Sequence, residues 1–223
     1  MGSSNDLSGY LKTLEKNNCL NNCTFKTRKK AVCVPPPEEI LGIIISRDPT
    51  VDWLYDNLNK ETDKNLRRKI LFASAIPLSL LTKLQIVMRG MGGRIDEKGK
   101  ERLFDAIFRK VYWTHLHKCP TDSKSNESKF TPTNASECAN TWLEKELDLA
   151  IYTKNTKFVI ALGNDVKKWV VEDWKKKGDI ELIFLPHPSG RNPIWNRPNT
   201  DKKIVEIEKG IERLIRICDE NSP

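Results

Sequence analysis

Three histidines occur in the chain, and each one closes an apolar run. His187 stands between two prolines in Leu185-Pro186-His187-Pro188-Ser189-Gly190-Arg191-Asn192-Pro193, directly after Leu182-Ile183-Phe184. An apolar run that stops at a proline-flanked histidine reads as a buried strand delivering one titratable side chain to a rigid loop. Taken alone, the same residues also describe a simple chain reversal. His115 and His117 follow Val111-Tyr112-Trp113, and a carboxylate, Asp48, follows Leu41-Gly42-Ile43-Ile44-Ile45 within Ser46-Arg47-Asp48-Pro49-Thr50. The six cysteines add possible metal chemistry: Cys19 and Cys23 form a C-x3-C pair, Cys119 and Cys138 a wider one, and Cys33 and Cys218 stand apart. Two pairs make a possible four-thiolate site. A second grouping, His115, His117 and Cys119 at i, i+2 and i+4, puts three zinc-ligand types on one face of a strand; thiols without metal are the third reading.

The elements that must position these residues alternate. Leu7, Tyr10, Leu11 and Leu14 have the spacing of an amphipathic helix over residues 7–16. The basic run 26–30 and the prolines 35–37 predict an irregular connection before the first strand, 41–45. A helical pattern spans about 63–91, broken near Pro77 and stopped by Gly90-Met91-Gly92-Gly93, and another covers about 97–108. The second strand, about 110–116, leads to a polar loop reaching Asn134. Asn134 or Ser136 is the expected cap of the next helix, marked by Trp142, Leu143, Leu147 and Ile151. Strands at 158–162 and 180–185 and helices at 166–175 and 204–217 complete the chain. Uniformly apolar strands alternating with helices imply a mostly parallel sheet covered on both faces. Ligands of such sheets bind beyond the carboxyl ends of the strands, where Asp48, His115, His117, His187 and Ser189 stand.

At 223 residues, with 38% hydrophobic and 30% charged residues, the chain suits one soluble domain. No apolar run approaches the ~18 residues of a membrane span, and the amino end has no secretory pattern, so an intracellular location and no membrane partner are expected. A net charge of +8 favours polyanionic partners without identifying nucleic acid. No Walker-type or Rossmann glycine pattern supports a nucleotide-binding protein of another kind.

In their order, four strand ends resemble the uracil-DNA glycosylase superfamily: 43–49 (Ile-Ile-Ile-Ser-Arg-Asp-Pro), 114–120 (Thr-His-Leu-His-Lys-Cys-Pro), 159–163 (Val-Ile-Ala-Leu-Gly) and 187–193 (His-Pro-Ser-Gly-Arg-Asn-Pro). The resemblance covers roughly residues 7–217. Its last motif is similar to the single-strand-selective branch. Lys118-Cys119-Pro120, Glu137-Cys138 and the amino-terminal cysteine pair are similar to the iron–sulfur branch. The resemblance implies a three-layer α/β/α sandwich around a four-stranded, mostly parallel sheet, forming one domain over 1–223 with residues 1–6 as a disordered tail. It also implies a monomeric, monofunctional DNA glycosylase that flips a deaminated base out of DNA and hydrolyses its N-glycosidic bond, initiating base excision repair.

Such cleavage leaves positive charge on the sugar and negative charge on the base. By resemblance, His187 stabilises the leaving base and Asp48 serves the attacking water and the sugar cation. Asp48 matches the uracil-specific branch, whereas the iron–sulfur branch has another residue there. His115 stands where the family has a base-reading asparagine, and a histidine cannot offer a donor and an acceptor along one edge. Uracil, hypoxanthine and xanthine all remain candidate bases, and a non-catalytic nucleic-acid-binding module is the alternative. Ser46, Arg47 and Trp53 are further candidate base contacts, with Trp53, Tyr55 or Phe72 as the aromatic platform. Lys118, Ser189, Gly190, Arg191 and Asn192 are candidate DNA contacts, with Arg47 and lysines 175–177 as additional phosphate contacts and Arg191 as the wedge. A 4Fe-4S cluster on Cys19, Cys23, Cys119 and Cys138 is implied, although the family spaces the first pair by two residues; zinc is the alternative.

Overall fold

The computed structural model describes residues 6–16, 31–49, 57–58, 60–121, 130–154, 156–174, 179–189, 192–197 and 201–221. Four strands pair in parallel among them: β1 (Gly42–Ser46), β2 (Val111–His115), β3 (Phe158–Leu162) and β4 (Glu181–Leu185), in the order β2-β1-β3-β4. Alternation along each strand divides the side chains between two cores. Ile44, Val111, Trp113, Phe158, Ile160, Leu162, Ile183 and Leu185 enter one, and Ile43, Ile45, Tyr112, Val159 and Ala161 the other. Burial on both sides explains why the strands read as unbroken apolar runs. Ile43, Ile44 and Ile45 are 0% exposed, and each contributes about 1.5–3 kcal/mol by leaving water.

The first face is covered by α2 (Lys64–Ala73), α3 (Ala75–Gly90), α4 (Glu97–Lys110) and α8 (Lys202–Glu220). The second is covered by α1 (Leu7–Lys16), α5 (Pro132–Cys138), α6 (Glu144–Lys154) and α7 (Asn164–Trp169). The expected three-layer α/β/α sandwich is the fold.

Local differences from expectation have simple causes. The helical break falls at Ser74, whose backbone is extended (φ −77°, ψ 159°). Pro77 instead sits in the first turn of α3, where its missing N–H costs nothing. Thr131, rather than Asn134 or Ser136, caps α5 by accepting the Asn134 N–H at 3.3 Å. A π-helical stretch, Ala139–Leu143, then carries the chain into α6.

Phe72 is a core residue, not a base platform: it is 8% exposed and packs edge-on against Phe108 at 4.8 Å and Trp113 at 6.4 Å. No single helix among the described residues is long and apolar enough to cross a membrane.

Candidate active site

The order β2-β1-β3-β4 reverses direction of growth at β1, so β1 and β3 part company at their carboxyl ends and leave the crevice where α/β sheets bind ligands. Register decides what surrounds it. Ser46 pairs with His115, and the ladder continues past the strands through Leu116 N–H to Ser46 O (2.8 Å) and His117 N–H to Arg47 O (2.9 Å). Arg47 and Asp48 thereby leave the sheet beside β2. On the other side, Leu162 pairs with Leu185 and Gly163 N–H donates to Leu185 O at 2.8 Å. Gly163 has φ +89°, and a Cβ there would lie 3.3 Å from the His187 Cβ. Only glycine combines that backbone with so close an approach of the histidine.

His187 is held by its backbone as well as its ring. Its carbonyl accepts Asn192 Nδ2–H at 3.2 Å and Trp195 Nε1–H at 3.1 Å. The next carbonyl, Pro188 O, accepts the Ser79 hydroxyl of α3 at 2.5 Å. The Ser189 N–H donates to His187 Nδ1 at 3.3 Å, so the proton of a neutral ring resides on Nε2. Burial depresses the imidazole pKa below its ordinary value and Arg47 depresses it further, with Asp48 and Asp165 opposing. The ring is therefore neutral at neutral pH and presents one N–H donor.

Asp48 is 11% exposed in its side chain. Arg47 Nε pairs with its Oδ1, and the Thr121 hydroxyl donates to its Oδ2. The Arg47 guanidinium also lies over the Phe130 ring, 4.5 Å from the centroid.

The end of β2 differs from expectation. Lys118, expected to meet DNA phosphate, is 2% exposed, and its Nζ lies 2.7 Å from Glu146 Oε2 as an ion pair. It also donates to Thr114 Oγ1 at 2.5 Å, while Glu146 Oε1 accepts from Tyr112 at 2.9 Å and from Thr114. This residue faces inward because Glu146, 0% exposed on α6, needs a cation. Ser46 is likewise internal at 2% exposure: its hydroxyl accepts Trp113 Nε1–H at 3.0 Å and donates to Thr114 O at 3.4 Å. His115 is 2% exposed, its Nδ1 has no hydrogen-bond partner among the described residues, and burial, Lys118 and His117 depress its pKa to about 3. The zinc trio does not assemble. β2 ends at His115, and His117 Nδ1–H donates to the Cys119 carbonyl at 2.8 Å. Among the described residues no three His, Cys, Asp or Glu side chains gather as metal ligands.

Of the remaining expectations, Asn192 turns inward, its amide holding the His187 carbonyl and its Oδ1 accepting the Ile194 N–H at 3.2 Å. Ser189 contributes its N–H to His187. Trp53, Tyr55, Gly190, Arg191, Cys19, Cys23 and lysines 175–177 lie outside the described residues. Thr121, Phe130, Trp195 and Ser79 carry no signal in the sequence, whereas Gly163 closes the third of the four strand-end motifs.

A cleft of about 150 Å³ opens at the same sheet edge, lined by Leu116, Thr133, Ser136, Asp165, Lys168 and Trp169 among others. No curated protein matches the chain. The family model for the uracil DNA glycosylase superfamily matches residues 52–209, which include the ends of β2, β3 and β4 and begin just after Asp48. The chain belongs to the uracil DNA glycosylase superfamily.

Proposed function

We propose that this protein is a monofunctional DNA glycosylase that hydrolyses the N-glycosidic bond of uracil or another deaminated base extruded from DNA, the first step of base excision repair. Members of its superfamily are typically DNA glycosylases, hydrolases that act on DNA. The observation that carries the reading is His187, neutral, with Nδ1 occupied by the Ser189 N–H. When the bond between sugar and base breaks, its electron pair leaves with the base and accumulates on a carbonyl oxygen. A fixed Nε2–H donor stabilises that oxygen without first giving up a proton. Asp48, on the neighbouring loop, supplies negative charge toward the sugar cation and receives the proton of the water that adds to the sugar carbon.

His115, buried and neutral, offers at most one donor and one acceptor on opposite sides of its ring, so base choice differs from that of an asparagine-bearing relative. A single-turnover assay on oligonucleotides carrying uracil, hypoxanthine, xanthine or a mismatched thymine tests the proposal. Release from at least one substrate, abolished by Asp48→Asn, is expected. Release from none, in single or double strands, overturns it; tight binding without product would favour a non-catalytic binding module.

The similarity to the iron–sulfur branch extends the proposal to a 4Fe-4S cluster on Cys19, Cys23, Cys119 and Cys138. The two described thiols suit it. Cys119 and Cys138 are buried at 9% and 8% exposure, and Cys138 Sγ accepts the Lys118 N–H at 3.4 Å, the kind of bond that tunes thiolate ligands. Val32 N–H donates to Lys118 O at 2.8 Å, which anchors the chain following the first cysteine pair beside the second. Such a cluster would hold these loops together, outside the bond-breaking step. Anaerobically purified protein should absorb in the visible and contain iron; protein lacking both has no cluster.

A further inference from the structure

Asp48 is fully engaged before any DNA arrives. One carboxylate oxygen pairs with Arg47 and the other accepts from Thr121. A carboxylate neutralised in this way has little charge to offer a sugar cation, so the glycosylase reading requires the pair to open. The two partners of Asp48 differ in freedom. Thr121 is 6% exposed, whereas the Arg47 side chain is 42% exposed and is steadied by the face of Phe130. A partly exposed ion pair is weak and exchanges readily. A guanidinium matches phosphate at least as well as carboxylate, because its planar fork donates two parallel hydrogen bonds to either.

We propose that Arg47 is a positioning residue that works by exchange: without DNA it holds Asp48 and covers Phe130, and when DNA binds it transfers to a backbone phosphate, releasing both. DNA binding and arming of Asp48 are then one event, and no armed carboxylate faces an empty crevice. This inference rests on the glycosylase reading and adds to it a coupling between backbone contact and chemistry.

The test is a double-mutant cycle on DNA affinity, using a fluorescent oligonucleotide with a tetrahydrofuran abasic analogue, which cannot be cleaved. Asp48→Asn frees Arg47 and should tighten binding by up to about five-fold, the size of one partly exposed ion pair. That gain should vanish in an Arg47→Met background. Arg47→Met should also reduce the slope of log affinity against log salt by about 0.9 on duplex DNA, one phosphate contact, and Arg47→Lys should restore it. A gain from Asp48→Asn that persists without Arg47 would reflect only the loss of a negative charge and would overturn the exchange. So would an unchanged salt slope. If the wild-type protein binds no DNA, the glycosylase reading itself fails, a result distinct from either of these.

Discussion

At the carboxyl end of β4, His187 is partly exposed and anchored by contacts to its carbonyl and its Nδ1, whereas at the end of β2 His115 and Lys118 are each 2% exposed. Both ends carry histidines and cations in short polar loops after an apolar strand. The difference lies in what packs against them. Among the described residues the β4 loop meets α3 through two side chains, the Ser79 hydroxyl and Lys83, whose Nζ donates to Asn196 Oδ1 at 3.1 Å, and Asn192 and Trp195 of the loop itself hold the His187 carbonyl. The β2 loop lies under α5 and α6, where Glu146 draws Lys118 inward and Cys138 takes its N–H. One strand end is built to present a side chain, the other to hold the loop that contains Cys119.

Mutations can break or sharpen that contrast. Lys118→Met leaves Glu146 charged and unpaired in the core and should cost about 3–5 kcal/mol of stability, measured by denaturant unfolding. Adding Glu146→Gln should recover much of the loss. If Lys118→Met instead weakened DNA binding at unchanged stability, the β2 end would be a surface site and the contrast would fail. His187→Ala should reverse the pattern, lowering single-turnover release by roughly 10²–10³-fold, as for loss of one oxyanion donor, while stability changes little.

Acid also separates the two ends. Burial depresses the pKa values of His115, His117 and His187 in the folded chain. The unfolded chain therefore binds more protons below the ordinary histidine pKa of about 6.5, and stability falls as pH drops through that value. For His115 the loss continues down to its folded pKa of about 3, at roughly 1.4 kcal/mol per pH unit. His115→Gln should flatten this dependence of stability. The rate of base release should fall on acidification with a midpoint below 6.5, because protonation of His187 removes the acceptor for the Ser189 N–H. In the DNA-free protein, Arg47→Met should move the His187 midpoint upward, read by NMR titration of the ring, since Arg47 helps to depress it. The smallest expected effect is that of Trp195→Phe. Losing the 3.1 Å bond to the His187 carbonyl should cost about 1 kcal/mol, read as a several-fold slower release.

Much of the architecture was legible in the residues. Strands buried on both faces must be apolar at every position, so Ile43-Ile44-Ile45 and Val159-Ile160-Ala161 announce themselves, and crossover helices between them leave a parallel sheet as the outcome. Asp48 and His187 were found because each is a polar residue placed where an apolar strand stops. Thr121 and Phe130 were not, because they bracket a polar stretch and meet Asp48 and Arg47 only through the fold. Trp195 gave no sign that its indole N–H would turn back to His187.

The linear chain by itself determined the alternation of elements, the composition of the two cores and the residue types at each strand end, because these follow from local periodicity and from the cost of burying polar groups. Only the tertiary structure decided which of those polar residues face the crevice. A lysine in a loop has no intrinsic direction: Lys118 points inward because Glu146, 28 positions later, is buried across from it, and Arg47 rests on Asp48 because Phe130 gives its guanidinium a surface. Such partners come from distant parts of the chain, and their charges and volumes meet only after the sheet has set its register.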